Sequence, residues 1–362
     1  MQALHTSILQ SITDEYPRNS EASVVELSDG RLLMAWSQFL AGTTDWTEAR
    51  ISARLSSDRG RSWGDFFVLQ EIIGEMCTYS PSLLRLHSGS LGLAFFVKNS
   101  KGDNRVFWRN STDEGENWSS AIAITPTPAY YVINNDRVIQ LLNGRLLAPI
   151  AYVPQFVDHM TPFSSFCSWS DDEGQTWQRG SDEVSLPKRG ALEPGLVERG
   201  DGSVLMFIRT QMGSAYRAVS HDQGESWSDV RSIGAVASEA PTCIKRIPST
   251  GDLLMIWNHV WDPYRSHWGR SPLAAAVSSD DGETWHNLHN IEEDPGHTYS
   301  YTSITFVDDE VVLTYYRGRA VERGTQATSG VELMIGIYPV SGFYEASVSW
   351  KAKGKMPFEK GR

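Results

Sequence analysis

Apolar runs opened by a turn signal recur six times along the chain. Asp29-Gly30 precedes Arg-Leu-Leu-Met-Ala-Trp36, Ser88-Gly89 precedes Ser-Leu-Gly-Leu-Ala-Phe95, and Asn143-Gly144 precedes Arg-Leu-Leu-Ala-Pro-Ile150. Asp201-Gly202 and Thr250-Gly251 open two more runs, ending at Ile208 and Trp257, and Asp309-Glu310 opens a sixth that lacks the Gly. A tight turn between two apolar, β-prone runs is a hairpin signal.

Between these hairpins stand five copies of Ser-x-Asp-x-Gly-x-(Ser/Thr/Asn)-Trp, running from Ser56 to Trp63, Ser111 to Trp118, Ser170 to Trp177, Ser220 to Trp227 and Ser278 to Trp285. Their first residues lie 55, 59, 50 and 58 positions apart. Such a period marks a repeat architecture in which each unit is one supersecondary element. Each residue suits a hairpin: the Asp carboxylate accepts N–H groups of its own turn, the Gly takes a positive φ, the hydroxyls close local bonds and the Trp buries its ring. Nothing in the box pairs a nucleophile with a base, so the boxes are read as structural.

Each unit then reads as strand, turn, strand and boxed hairpin, a four-stranded blade. The expected fold is all-β, a six-bladed β-propeller; counts of five and seven are left open, while a β-solenoid needs a shorter period. The repeat runs from Arg18 to Arg319 without a linker, so residues 1–362 are read as a single domain. The sixth unit has no box. Its missing strand is expected from Leu4 to Ile12, pairing beside Val331 to Tyr338.

Composition narrows the class. Apolar residues make up 40% of the chain, charged residues 21%, and Trp, Tyr and Phe number 13 each, enough for a core and unlike a disordered chain. No apolar run approaches the roughly 18 residues of a membrane span, and the first residues carry no basic and apolar leader pattern. A soluble, cytoplasmic protein is expected, or a secreted one whose leader has been removed. Cys77, Cys167 and Cys243 are odd in number and far apart, so packed thiols are expected rather than disulfides or zinc ligands. The net charge of −12 argues against nucleic acid. No cofactor or metal is called for, and His259 and His267 lack ligand spacing.

The innermost strands of a propeller run in one direction, so equivalent repeat positions form a ring at one mouth. Nine residues before each turn lie Glu21, Ser80, Asn135, Glu193, Ala240 (with Glu239 adjacent) and Tyr301. Seven after it lie Ser37, Phe96, Ala151, Arg209, Asn258 and Arg317. A mouth holding Glu, Tyr, Asn and Arg on an otherwise acidic chain suits a polar, anionic small molecule.

The boxes on a six-unit array resemble the Asp boxes of the sialidase (neuraminidase) superfamily, over about residues 16 to 320. The resemblance implies site residues. Arg18 in Tyr16-Pro17-Arg18-Asn19 stands where that family has an Arg before the first inner strand, although the family's Arg-Ile-Pro order is not kept. Glu193 and Arg209 match a Glu opening a later inner strand and an Arg ending the next strand. Arg270 precedes the last box, Tyr301 opens the last inner strand in Tyr301-Thr302-Ser303, and Asp45 lies on the loop before the first box. The polar cluster Asn135, Asp136 and Arg137 stands where many sialidases have small residues, and is added to the substrate-binding set.

The implied chemistry is coherent. Three Arg surround a substrate carboxylate with charge-assisted bonds. A neutral Tyr301 nucleophile avoids that carboxylate's repulsion and needs Glu193 as its base, while Asp45 serves the leaving oxygen as acid and then activates water. The substrate is expected to be a sialoglycan or another acidic sugar. Competing assignments are Arg217, Arg265 and Arg317 for Arg270, Tyr299 for Tyr301, and Glu48 for Asp45; Arg18 can also be a plain ion-pair partner of Glu21. The competing function is a non-catalytic glycan- or protein-binding propeller.

Overall fold

The computed structural model describes residues 1–261, 269–320 and 330–345. The described residues are all-β apart from a short 3-10 turn at Val340–Phe343. Its described strands form four sheets made of six successive antiparallel units, because single parallel bridges join Arg18 of the first unit to Val331 of the sixth and Tyr130 of the third to Asn104 of the second. In the first, Arg18–Glu26, Leu32–Phe39, Ala49–Ser56 and Phe67–Gln70 pair in chain order. The fourth and fifth repeat that order from Leu192–Glu198 to Ser228–Val236 and from Cys243–Arg246 to His286–Glu292. The turn after each first strand is held by Gly30, Gly89, Gly144, Gly202 or Gly251 at positive φ, and in the sixth unit Asp308 takes φ 51 instead. Asp tolerates that region better than most residues with a Cβ.

The missing strand of the sixth unit comes from the N-terminus. His5–Gln10 runs antiparallel to Val331–Pro339 with His5 opposite Ile337, as the pattern predicts. The third unit departs from the others, because its first strand is split into Tyr130–Val132 and Ile139–Gln140.

Pleat and packing explain the unbroken apolar runs. Successive side chains on a strand face opposite sides, and here both sides are covered. Leu32, Met34 and Trp36 pack with Val312, Leu333 and Ile335 of the sixth unit. The alternate residues Leu33 and Ala35 pack with Leu91, Leu93 and Phe95 of the second. Likewise Met206 faces Leu147 of the third unit, while Leu205 and Phe207 face Leu253 and Met255 of the fifth. A sheet apolar on both faces has no place for an alternating pattern, so the second strand of each unit reads as a solid hydrophobic run.

Register separates the two ends of each unit. Ser56, which opens the first box, lies opposite Leu32 beside the turn, whereas Ser20 lies opposite Ser37 at the other end of the sheet. The boxes therefore sit at one end and the ring positions at the other. Inside the first box, Asp58 Oδ1 accepts the Ser62 N–H at 2.8 Å, Ser56 Oγ accepts the Gly60 N–H at 2.9 Å, and Trp63 donates to the Gly60 carbonyl at 2.9 Å. Asp113, Asp172, Asp222 and Asp280 accept the corresponding N–H groups at 2.8–2.9 Å. Cys77, Cys167 and Cys243 are buried free thiols. Among the described residues no helix is long and apolar enough to cross a membrane.

Candidate functional site

The first strands carry a shared irregularity at the ring positions. Pairing slips between Ser20 and Ser23, between Tyr79 and Ser82, between Leu192 and Gly195, and between Ser300 and Ser303. Within each slip one residue is left-handed: Glu21 at φ 57, Ser80 at φ 61, Glu193 at φ 39 and Tyr301 at φ 56. A bulge of this kind bends the strand and re-aims one side chain, at a cost of about 1–3 kcal/mol for a residue with a Cβ. All four residues line one pocket. In the third unit the left-handed residue is Asp136, one place beyond the counted Asn135. The fifth unit has no such bulge.

At one side of the pocket Tyr301, Glu193 and Arg209 form a chain of contacts. The Tyr301 hydroxyl donates to Glu193 Oε1 at 3.2 Å, and Arg209 Nη1 donates to Glu193 Oε2 at 2.7 Å. Burial raises the Tyr301 phenol above its ordinary value and the Glu193 charge adds to this, opposed by Arg209 and Arg270. Arg270 lies with its guanidinium carbon 5.5 Å from the Tyr301 ring centre and donates to the Tyr316 hydroxyl at 2.5 Å.

Arg18 anchors the other side. It donates to Asp45 Oδ1 at 2.6 Å and to the Thr43 carbonyl at 3.1 Å, stands 3.4 Å from Glu21 Oε1, and stacks on Phe39. Asp45 is half-exposed at the rim, with 54% of its side chain accessible. Partial removal from water works against its charge, but Arg18 first and then Lys98 outweigh this and hold the carboxyl below the usual carboxylate range. Glu21 behaves in the opposite way. Burial, only partly offset by Arg18, pushes its carboxyl up to about 7.

The six residues Arg18, Asp45, Glu193, Arg209, Arg270 and Tyr301 are thus brought together from four of the six units, with Asp45, Glu193, Arg209 and Tyr301 lining the pocket and Arg18 and Arg270 in contact with lining residues. Asn135, Asp136 and Arg137, expected in the substrate-binding set, are not among the lining residues, although Asn134 is. Each of these side chains is buried against protein. Asn135 donates to the Ala22 and Tyr301 carbonyls at 2.7 and 3.2 Å, and so braces two of the bulges. Asp136 takes Lys245 at 2.5 Å and the Ile304 N–H at 3.1 Å, and Arg137 donates to the Thr242 carbonyl at 2.8 Å.

The competing assignments also separate. Arg217 pairs with Asp229 and Glu283, Arg317 pairs with Glu332, and Tyr299 packs in the core against Tyr315. Glu48 is exposed and does not line the pocket; Ala240 is buried and does not line it either. Arg265 and His267 lie outside the described residues. Among the described residues no group of three or more His, Cys, Asp or Glu is placed to hold a metal ion.

The sequence reading assigned no role to several groups in and behind the pocket wall. Arg189 enters from the loop before the fourth unit and pairs with Glu239, which also accepts from Gln211 at 2.8 Å and lies 3.6 Å from Arg209. Lys98 is buried, donates to the Asp45 carbonyl at 2.8 Å and lies 4.5 Å from the Trp46 ring centre. Trp46, Tyr130 and Phe156 form an aromatic wall next to Asp45. The proximity of Glu239 to a ring position was the one available signal; Arg189, Lys98 and Trp46 have no repeat counterpart that marks them.

Comparison with known proteins identifies the family. The family model described as BNR repeat-like domain matches residues 77–313. The sialidase of Micromonospora viridifaciens is 26% identical over 332 residues, covering 81% of this chain and 49% of that protein. The sialidase of Bacteroides fragilis is 24% identical over 230 residues, 60% of this chain and 40% of that protein. The chain thus spans less than half the length of these curated relatives. Among solved structures, a Dyadobacter fermentans protein of unknown function matches with a TM-score of 0.73 and 18% identity, over 93% of this chain and 98% of that one. The NanB sialidase from Streptococcus pneumoniae matches with a TM-score of 0.72 and 16% identity, over 92% and 70%. With the family model spanning well over half of its residues, the chain belongs to the BNR repeat-like domain family of the sialidase superfamily.

Proposed function

We propose that the protein is a retaining exo-glycosidase that removes a terminal sialic acid or a related acidic 2-keto-3-deoxy sugar. In this reading the six units are the blades of one six-bladed β-propeller domain, with the pocket at one mouth and the Asp boxes at the other. The observation that carries the function is the contact chain Tyr301–Glu193–Arg209, which joins a nucleophile, its base and a cation across two units. A binding module has no use for a phenol hydrogen-bonded to a buried carboxylate.

In the first half-reaction the Tyr301 oxygen attacks the anomeric carbon while Glu193 takes the phenol proton. A phenol raised above its ordinary value is neutral at rest, so this transfer has to accompany attack. The bond to the leaving oxygen breaks, and Asp45 supplies that oxygen's proton. Arg18 and Lys98 favour the ionised form of Asp45. An aglycone seated over Asp45 displaces the water that supports its charge, weakens that hold and lets Asp45 carry the proton. In the second half-reaction Asp45 takes a proton from water, water attacks the anomeric carbon, and the Tyr301 oxygen leaves and regains its proton from Glu193. Arg18, Arg209 and Arg270 orient the substrate carboxylate throughout.

The test is a screen of fluorogenic glycosides of nonulosonic and uronic acids, followed by labelling with a 2,3-difluoro sugar acid and mass spectrometry of a peptic digest. Turnover of the nonulosonic glycoside with the adduct on Tyr301 is the expected result. Binding of acidic glycans with no turnover and no adduct on any Tyr would instead favour the non-catalytic propeller.

A further inference from the structure

Resting on the carboxylate-binding reading above, we propose that Glu21 makes capture of the substrate carboxylate a proton-coupled event. The pocket takes up the carboxylate together with one proton from solvent, and that proton resides on Glu21.

The argument starts from the crowding around Arg18, the cation that has to receive the substrate carboxylate. Two protein carboxylates already flank it, Asp45 at 2.6 Å and Glu21 at 3.4 Å. A third anion brought to the same guanidinium cannot leave all three ionised, because like charges sharing a desolvated site push one proton affinity up. The geometry decides which one yields. Asp45 has the shorter contact and is half-exposed, so water and Arg18 both retain its charge. Glu193, the other carboxylate in the pocket near Glu21, is held by Arg209 at 2.7 Å. Glu21 has the longest cation contact, and its side chain is 4% exposed.

The surroundings of Glu21 also fix where a proton would sit. Ser37 Oγ accepts the Ser80 N–H at 2.9 Å, which turns the Ser37 hydroxyl toward Glu21 Oε2 at 3.0 Å. That oxygen is therefore already an acceptor, and Oε1, on the Arg18 side, is the one left to carry a proton. Around the carboxyl stand Arg18 on its own strand, Asp45 on the following loop, Lys98 of the second unit, Glu193 and Arg209 of the fourth and Tyr301 of the sixth. With burial as the largest influence, Glu21 titrates near neutrality even before a ligand anion adds to it. Once protonated, it can donate a hydrogen bond to the incoming carboxylate instead of repelling it. Charge balances, since one anion and one proton enter together.

Isothermal titration of the full chain with free N-acetylneuraminic acid, in buffers of different ionisation enthalpy between pH 6 and 9, tests this. At pH 8 the wild type should take up close to one proton per sugar, and its affinity should fall roughly tenfold per pH unit above about 7. Glu21→Gln, which keeps the shape and the Ser37 contact, should take up none and bind equally across the range. The methyl ester of the same sugar, which brings no charge, should bind the wild type without that pH dependence. Wild-type binding without proton uptake overturns the proposal even if the variant misfolds, as does unchanged uptake in a folded Glu21→Gln. Binding by Glu21→Gln alone would make Glu21 a fixed charge that excludes the ligand, overturning the coupling but leaving the arginine site. If neither protein binds the acid and the wild type binds only the ester, the acidic-sugar reading fails and takes the coupling with it.

Discussion

The boxed hairpins and the pocket use the same materials for opposite ends. Both bring carboxylates and hydroxyls to backbone in the left-handed region, Arg59 and Glu114 in the boxes and Glu21 and Glu193 in the pocket. In a box, though, the bonds of the defining Asp close within a few residues: Asp58 is satisfied by Ser56 and Ser62. In the pocket, Arg18 and Asp45 meet across 27 positions and Tyr301 and Glu193 across 108. Local closure leaves a box with no unmet demand, so it can be copied five times. Closure over longer range, across units for Tyr301 with Glu193 and for Lys98 with Asp45, makes pocket groups depend on distant segments, which leaves their charge and proton affinity adjustable.

This contrast can be broken most sharply at Tyr301. Tyr301→Phe should lower kcat for an acidic glycoside by at least roughly a thousandfold, while leaving binding of the free sugar acid within a few-fold. In the same assay Asp172→Ala, in the third box, should leave kcat unchanged. Equal losses in both variants would mean that box and pocket are not separable.

A smaller effect is expected at the arginine site. Arg209→Lys keeps the charge but loses the planar fork, and should weaken inhibition by a free sugar acid by roughly tenfold or more. Unchanged inhibition would show that Arg209 serves only to hold Glu193 and Glu239 in place.

The boxes should register in stability instead. Asp172 accepts a backbone N–H at 2.8 Å and two hydroxyls, so Asp172→Ala should cost about 1–2 kcal/mol, seen as a Tm lowered by a few degrees in calorimetry. A Tm equal to wild type would make the box an ornament of the turn rather than a support.

The smallest effect concerns acid. The Ser62 hydroxyl and N–H hold the Asp58 carboxyl down at about 2. A group lowered in the folded state stabilises above its unfolded value, near about 3.9, and loses that contribution as pH falls through its folded value. Asp58→Asn should therefore trail wild type in urea titrations at pH 6 and converge on it toward pH 2. A gap that widens with acid would reverse the sign and point to a different origin for the shift.

Legibility in the sequence followed the same division. The six apolar runs and the boxes were plain because one unit's packing demand recurs in each: Leu33 and Leu205 solve the same problem against successive neighbours. The repeat count also led to Glu21, Ser80, Glu193 and Tyr301, since a bulge at a fixed distance from the turn is itself part of the repeat. At Asn135, Asp136 and Arg137 the third unit departs from the count: its first strand is split, its left-handed residue lies one place further on, and these polar groups are buried.

The sequence by itself determined the unit, the hairpins and the ring positions, because these follow from side-chain alternation, turn chemistry and contacts a few residues apart. Only the tertiary structure decided that Arg189 and Trp46 join the pocket with Lys98 behind them, that Asp45 is held ionised, and that Glu21 is poised near neutrality. A proton affinity is set by the charges and the water that surround a group, and those come from segments the chain brings together only when the six units pack against one another.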